Sequence, residues 1–214
     1  MVKLTKLDKP QILSTNETQW TKELIDKINS GNKVPDSIYN KYNQKDIKDK
    51  LKEETHDKCM YCESIVNHVA HEHIEHFRPK AKNKYPELTY KWENLGLACP
   101  KCNMNKSDEF DEQLPFVNPY KEDPSDFFIA VGNFIYSRPG NKKAHLTNKI
   151  LELNRPELIE SRKERLKSIE LMINNYVNED NTILKQAILD EILIEIQPNR
   201  QYSFCAKSLF ETLI

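Results

Sequence analysis

Four cysteines are arranged as two identical pairs, Cys59/Cys62 and Cys99/Cys102. A Cys-x-x-Cys spacing places two thiolates on one tight turn, and two such pairs supply the four sulfur ligands of a tetrahedral Zn²⁺ site. Because four protein ligands leave no open coordination position, we expect this zinc to be structural. A fifth cysteine, Cys205, is distant from both pairs in sequence and is interpreted as a buried core residue.

Glu75 and His76 form a second pair whose side chains could take part in catalysis, inside the segment that the cysteines bracket. Hydrolysis of a phosphodiester needs a base that deprotonates water and a divalent ion that polarises the phosphate. The imidazole of His76 suits the first task, and the carboxylate of Glu75 is a hard oxygen ligand for Mg²⁺ or Mn²⁺. Neighbours on a regular strand point to opposite faces, so the two can act together only where the strand ends, and Pro79 predicts such an end.

Basic residues are concentrated around this pair. Residues 71–106 contain seven Lys or Arg against four Asp or Glu. The side chains that could contact phosphate groups are Arg78, Lys80, Lys82, Lys84 and Lys106. A solvated lysine-rich face is an equally good interpretation. The acidic segment that follows, residues 107–126, is interpreted as solvated or as complementary to a basic patch on a partner, rather than as a second metal site.

The order of these residues resembles the motif of HNH (ββα-metal) endonucleases. The matching positions are Glu75-His76, then Asn94-Leu95, then Cys99-Pro-Lys-Cys102-Asn103-Met-Asn-Lys106-Ser-Asp108. Residues 59–63, 74–80, 92–95 and 117–120 resemble, more narrowly, the HNH proteins of Septu and related retron-associated anti-phage systems. This resemblance is strong over residues 59–120, weaker over 144–163, and not detected over 1–50.

The resemblance implies a role for each matching position. His76 would be the general base, and Glu75 would take the first metal-ligand position, where the family usually has Asp or His. Asn103 would take the last position, where His or Asn binds the catalytic Mg²⁺ or Mn²⁺, which makes this an H-N-N variant. Asn94 would hold the loop that aims His76. The resemblance also implies a nucleic-acid substrate, DNA or RNA, and an ATPase partner resembling PtuA.

Each of these side chains also has a simpler interpretation. Asn94 could cap the turn before Gly96, and Asn103 could be the N-cap of a helix. His73 shares a strand face with Glu75, so it could be an additional metal ligand, although a core or surface role is the simpler interpretation.

The elements that must position these residues can be read from the same segment. We predict an extended segment over residues 71–77, a second short strand or the approach to it over residues 88–92, and a helix starting at Asn103. This is the order of a ββα unit. Residues 1–58 predict a helical region with one amphipathic helix around Trp20–Ile28 and another from about Gln44 towards His56.

Three further helices are predicted near the end of the chain, after Asn154-Arg155-Pro156, after Asn181-Thr182 and after Ser203. The predicted fold class is therefore mainly α with a small zinc-bound ββα-metal core, that is, α+β. We divide the chain into an N-terminal helical region (1–58), a zinc-stabilised nuclease module (59–120) and a C-terminal helical region (121–214). The last region is the predicted docking surface for the ATPase partner.

Composition restricts the class of protein further. The 214 residues carry a formal net charge of −1, which argues against electrostatic binding of nucleic acid over the whole surface. No apolar run approaches the roughly 20 residues that a membrane span needs, and the N-terminus lacks the apolar core of a secretory signal. We therefore expect a cytoplasmic protein without a membrane partner. No Gly-x-x-x-x-Gly-Lys-Ser/Thr pattern is present, so the chain has no phosphate-binding loop of that kind.

The leading hypothesis is a metal-dependent HNH endonuclease, coupled to an ATPase in anti-phage defence. The alternative is a non-catalytic, zinc-stabilised nucleic-acid-binding or adaptor protein. A redox role for the cysteine pairs is the weakest hypothesis, because a thioredoxin-like motif requires a βαβ context that the sequence lacks.

Overall fold

A computed structural model of the protein describes residues 1–66 and 73–214. These residues form two compact units. We call the first the ββα unit; it comprises Leu4–Met60 and Val66–Pro115. We call the second the helical unit; it comprises Met1–Lys3, Tyr61–Ile65 and Phe116–Ile214. The predicted fold class, mainly helical with small sheets, is confirmed. The three-region division stays a prediction about roles, because compact packing does not assign roles to residues.

Three helices precede the strands in the ββα unit: α1 (Gln11–Asn29), α2 (Asp36–Tyr39) and α3 (Lys45–Thr55). Helix α1 buries Leu13 and Leu24, and α3 buries Ile47 and Leu51, one turn apart. Spacing of three or four residues puts apolar side chains on one helix face, which is the amphipathic pattern predicted for both helices. Helix α3 ends where His56 adopts a left-handed backbone conformation.

The ββα core consists of β1 (His73–His76), β2 (Leu95–Ala98) and α4 (Pro100–Lys106). The strands are antiparallel, with Glu75 opposite Gly96 and His76 opposite Leu95. The predicted extended segment is confirmed over the residues of β1, while His71 and Glu72 lie outside the described residues.

Residues 88–92 form the approach to the second strand, the second of the two interpretations, and not the strand itself. Residues 88–92 lie in a stretch that holds two short 3₁₀ turns, Pro86–Leu88 and Trp92–Asn94. Proline has no N–H to donate to a strand partner, and its fixed φ suits the start of a helical turn. The aromatic residues that suggested a strand, Tyr90 and Trp92, are instead buried in the core. Pairing with β1 falls on the four buried residues of β2.

Helix α4 starts at Pro100, three residues before the predicted start. The Cys102 N–H donates to Cys99 Sγ at 3.4 Å, so Cys99 is the N-cap and the proline takes the first helical position. Asn103 therefore lies inside the helix, and the interpretation of Asn103 as an N-cap is wrong.

The helical unit contains a β-hairpin and four helices. The hairpin joins β3 (Phe128–Val131) to β4 (Phe134–Ser137). The helices are α5 (Lys142–Ile150), α6 (Pro156–Val177), α7 (Thr182–Glu195) and α8 (Ser203–Leu213). The three predicted C-terminal helices are confirmed, and Asn181 caps α7 by accepting from the N–H groups of Ile183 and Leu184. The hairpin and α5 were not predicted.

The buried faces of these helices agree with the predicted apolar pattern in α6 and only in part in α7. Helix α6 buries Leu158, Leu166, Ile169 and Ile173. Of the face predicted for α7, Ile192 is buried, whereas Leu184 is 50% exposed. Burial of Cys205 in α8 confirms its interpretation as a core residue. Among the described residues, no helix has the length and apolar character needed to cross a membrane.

Candidate functional site

The four paired cysteines come together as the sequence predicts. Their Sγ atoms all lie within 4.8 Å of one another, and none of the four forms a disulfide. Sulfur ligands at about 2.3 Å from a tetrahedral Zn²⁺ lie about 3.8 Å apart, so the cluster fits a zinc ion. An arginine, Arg155, places Nη2 3.9 Å from Cys62 Sγ, where its charge favours the thiolate form that binds zinc.

The first cysteine pair is also fixed to the sheet. The Met60 N–H donates to the Leu97 carbonyl at 2.9 Å, which attaches the first cysteine turn to β2. The second pair follows β2 directly and starts α4. Both pairs are thus positioned by the strand that pairs with Glu75 and His76.

His76 is buried at the end of β1, with its Nε2 2.9 Å from the Thr89 carbonyl oxygen. A carbonyl oxygen can only accept a hydrogen bond, so Nε2 carries the proton and Nδ1 of the neutral ring carries the lone pair. Burial, as the largest effect, and the positive charges of Lys80 and Lys106 together lower the pKa of His76 to about 3, although the hydrogen bond to Thr89 opposes them. The imidazole is therefore neutral at neutral pH, with the lone pair on Nδ1.

Asn94 holds the loop that carries Thr89. Its Oδ1 accepts from the Arg78 N–H at 2.8 Å, and its Nδ2 donates to the carbonyl oxygens of Arg78 and Leu88 at 2.9 and 3.2 Å. The Asn94 carbonyl also accepts from the Phe77 N–H. One buried amide thus joins the residues just after β1 to the residue before Thr89. This is a longer-range role than capping the turn before Gly96.

Glu75 is 2% exposed and forms a buried ion pair in which Lys106 Nζ lies 2.7 Å from Glu75 Oε1. Lys106 also donates to the His76 carbonyl oxygen at 2.9 Å. The interpretation of Lys106 as a surface contact for nucleic acid is therefore corrected, because its side chain is buried and directed at β1. Lys106 supplies the positive charge that this buried carboxylate needs, and a carboxylate oxygen is also a ligand that a divalent ion accepts.

Asn103 projects from α4 towards β1, where its Nδ2 lies 2.8 Å from His73 Nδ1. Asn103 and Glu75 both line a cavity of about 350 Å³. An amide oxygen and a carboxylate are the hard ligands that Mg²⁺ and Mn²⁺ accept. The residues predicted to hold the catalytic ion are thus brought to one cavity, which His76 also lines.

Two tyrosines and a lysine also line this cavity. Tyr42 packs its ring edge-on against His76, with ring centroids 4.6 Å apart. Lys80 Nζ lies 3.8 Å from the ring centroid of Tyr39, which faces the same cavity. Burial lowers the pKa of Lys80, and Asp108 partly offsets this. Of the predicted phosphate contacts, Lys80 lines the cavity together with His76.

The other predicted nucleic-acid contacts have different surroundings. Arg78 is paired through Nη2 with Glu112 Oε2 at 2.9 Å, and both side chains are partly exposed. Tyr85 donates to the other oxygen of Glu112 at 2.8 Å. Lys82 is exposed. The acidic residue that pairs with Arg78 belongs to the acidic segment, so part of that segment neutralises the basic face within the chain.

Sequence reasoning missed Thr89, Tyr39 and Tyr42. Thr89 acts through its carbonyl, a group that every residue has, so its type gave no signal. The tyrosines lie more than thirty residues before His76 in a region with no detected resemblance, and only packing of the α2 region brings them to the cavity.

Comparison with known proteins agrees with this geometry. Residues 59–109 match the family model of HNH endonuclease. The chain is 34% identical to Septu protein PtuB of Bacillus mycoides (strain KBAB4) over 160 residues, which cover 61% of this chain and 54% of that protein. It is 29% identical to Septu protein PtuB of Bacillus thuringiensis over 224 aligned positions, which cover 98% of this chain and 81% of that protein.

The chain thus spans about half the length of the first of these relatives. The domain match, the ββα geometry and the two relatives show that this chain resembles HNH endonucleases over residues 59–109 and Septu protein PtuB over most of its length.

Proposed function

We propose that this protein is a metal-dependent endonuclease that hydrolyses phosphodiester bonds of DNA or RNA. The observation that carries the proposal is the hydrogen bond from His76 Nε2 to the Thr89 carbonyl. It leaves a lone pair on Nδ1 of His76, a residue that lines the same cavity as Glu75 and Asn103. A base beside two oxygen ligands is the arrangement that metal-assisted hydrolysis requires.

Each side chain then has a defined task. His76 Nδ1 accepts the proton of the attacking water, and Asn94 keeps the ring aimed by fixing the loop that carries Thr89. Glu75 and Asn103 would hold the divalent ion. When bound, that ion supplies polarisation of the phosphate and stabilisation of the leaving oxygen. Lys80 adds positive charge beside His76, where negative charge develops on the phosphate.

The similarity to proteins named Septu protein PtuB supports a further proposal about the biological role of this protein. We infer that the protein is the effector nuclease of an anti-phage system, and that an ATPase partner resembling PtuA gates it. The helices after residue 144 are the proposed docking surface. They leave large apolar side chains exposed, among them Leu171 on α6 and Ile183, Leu184 and Ile194 on α7.

The test is cleavage of plasmid DNA and of tRNA by the purified protein, with and without the ATPase partner, in Mg²⁺ or Mn²⁺. His76→Ala should lower the cleavage rate by about 10²–10⁴-fold, the usual contribution of a general base. His56→Asn is the matched control, because His56 is exposed at the end of α3, does not line the cavity, and has a left-handed backbone conformation that asparagine tolerates. Equal cleavage by the His76 variant and the wild type would show that His76 is not the base.

A non-catalytic adaptor gives a different result. In that case the wild type would cleave neither substrate under any of these conditions, and adding Mg²⁺ or Mn²⁺ would change nothing. Docking is measured separately, by co-purification of the ATPase with the wild type and with Ile183→Asp. Ile183 is 82% exposed, so the change should leave the fold intact. Undiminished co-purification would exclude this part of α7 from the interface.

A further inference from the structure

His73 shares a face of β1 with Glu75. The two residues are separated by one position, and alternate residues of a strand project from the same side of a sheet. Helix α4 packs against this strand and brings the Asn103 side chain to His73. Glu75 and Asn103 are the two proposed ligands of the catalytic ion, so His73 adjoins both of them, one along the strand and one across to the helix.

The hydrogen bond between His73 and Asn103 fixes the state of the imidazole. The amide Nδ2 of Asn103 can only donate, so His73 Nδ1 accepts and carries a lone pair directed at Asn103. A half-turn of the amide group exchanges its nitrogen and oxygen without moving the backbone. His73 Nδ1 and Asn103 Oδ1 would then face each other, and in the tautomer with the imidazole proton on Nε2 both atoms offer a lone pair to a cation.

The separation of the two atoms suits this exchange. Ligand atoms about 2.1 Å from an octahedral ion, at right angles to each other, lie about 3 Å apart. The separation of 2.8 Å between His73 Nδ1 and the Asn103 amide is close to that value. The pair can thus be hydrogen-bonded without the ion and can ligate the ion with only a rotation of the amide group.

We propose that His73 Nδ1 is a third protein ligand of the catalytic divalent ion, together with Glu75 and Asn103 Oδ1. This inference rests on the proposed function for the identity of the site. One nitrogen and two oxygen ligands form a mixed set, and an imidazole ligand distinguishes this site from one built of oxygen ligands alone.

The test detects the nitrogen directly. Mn²⁺ is added to zinc-loaded protein, whose Zn²⁺ gives no electron paramagnetic resonance signal, and electron spin echo modulation is recorded. The wild type should show modulation from a directly bound ¹⁴N nucleus. His73→Ala and His73→Gln should abolish it and weaken Mn²⁺ binding by about 10–100-fold, as altered metal sites commonly do. The Gln variant keeps a polar partner for Asn103, so the test still works if the Ala variant does not fold.

His76→Ala is the control, because it removes the proposed base and leaves His73 in place. Retained ¹⁴N modulation in this variant, together with lost cleavage, would support both the inference and the proposed function. Modulation that persists in both His73 variants, or Mn²⁺ bound by the wild type without ¹⁴N modulation, would overturn the inference. Cleavage that depends on His76 would in that case still support the proposed function.

Discussion

The imidazole of His76 donates from Nε2 to the carbonyl oxygen of Thr89, thirteen residues further along the chain, at 2.9 Å. The bond links the end of β1 to a loop that Asn94 holds in place through three side-chain hydrogen bonds. A backbone atom therefore sets the tautomer of the proposed base. The side chain of Thr89 has a separate task, since its hydroxyl donates to the Pro86 carbonyl.

Because Asn94 acts through its side chain and Thr89 through its backbone carbonyl, alanine substitutions at the two positions should give different results. Asn94→Ala removes the amide that fixes the loop, so the cleavage rate should fall by about 10²-fold or more, approaching the loss for His76→Ala. Thr89→Ala keeps the carbonyl and should retain most of the activity. Single-turnover cleavage assays measure both, with zinc content and circular dichroism as checks of folding. A Thr89→Ala loss as large as that of Asn94→Ala would contradict the proposed orientation of His76.

The buried ion pair between Glu75 and Lys106 predicts a strong coupling in stability. Lys106→Met leaves the carboxylate without this positive charge, so the free energy of unfolding should fall by about 3–5 kcal/mol. Adding Glu75→Gln should recover part of that loss, because no buried charge then remains at the pair. Urea denaturation of the two single variants and the double variant measures the coupling. Strictly additive effects would show that the pair does not act as a unit.

The exposed pair of Arg78 and Glu112 predicts an effect on binding rather than on stability. Both side chains are solvent-accessible, so Arg78→Ala should change the free energy of unfolding by at most about 1 kcal/mol. If Arg78 contacts a phosphate, the same change should lower the slope of log affinity against log salt by about 1. Glu112→Gln should instead tighten binding, because it releases the guanidinium. Fluorescence anisotropy over a series of salt concentrations tests both, and an unchanged slope would remove Arg78 from the interface.

The cysteine cluster predicts one tightly held zinc ion per chain. Cys99→Ser should lose the metal and unfold at a lower temperature, because Cys99 supplies one of the four predicted ligands, while serine preserves the N-cap of α4. Elemental analysis together with thermal unfolding measures this, and treatment of the wild type with a strong chelator should give the same shift. A variant that keeps its full zinc content would show that the four sulfurs are not the ligands.

The buried position of Cys205 predicts that its thiol is unreactive in the native protein. Burial raises the pKa of its thiol to about 11, so at pH 8 only about one molecule in a thousand carries the reactive thiolate. Iodoacetamide should therefore leave Cys205 unmodified in the native protein and label it in denaturant. Mass spectrometry of the digested protein reads each cysteine separately. Rapid native labelling of Cys205 would contradict its place in the core of the helical unit.

The sequence by itself determined the cysteine cluster, the β1 segment and the C-terminal helices. Fixed Cys-x-x-Cys spacing, the Glu75-His76 dipeptide before Pro79, and helix starts at Pro156 and Asn181 are local signals. Local chemistry dictates what they form: a tight turn sets the spacing of two thiolates, and a capping side chain satisfies N–H groups two or three residues away.

Only the tertiary structure decided the surroundings of the proposed base and metal ligands. Lys106 has the same sequence signature as a surface lysine, and it became the buried partner of Glu75 because α4 packs its last turn under β1. Tyr42 and Thr89 reach His76 through chain reversals, and Asn103 meets His73 across thirty residues. Which donors and charges face one another depends on how distant segments pack. The spacing of residues along the sequence does not reveal this packing.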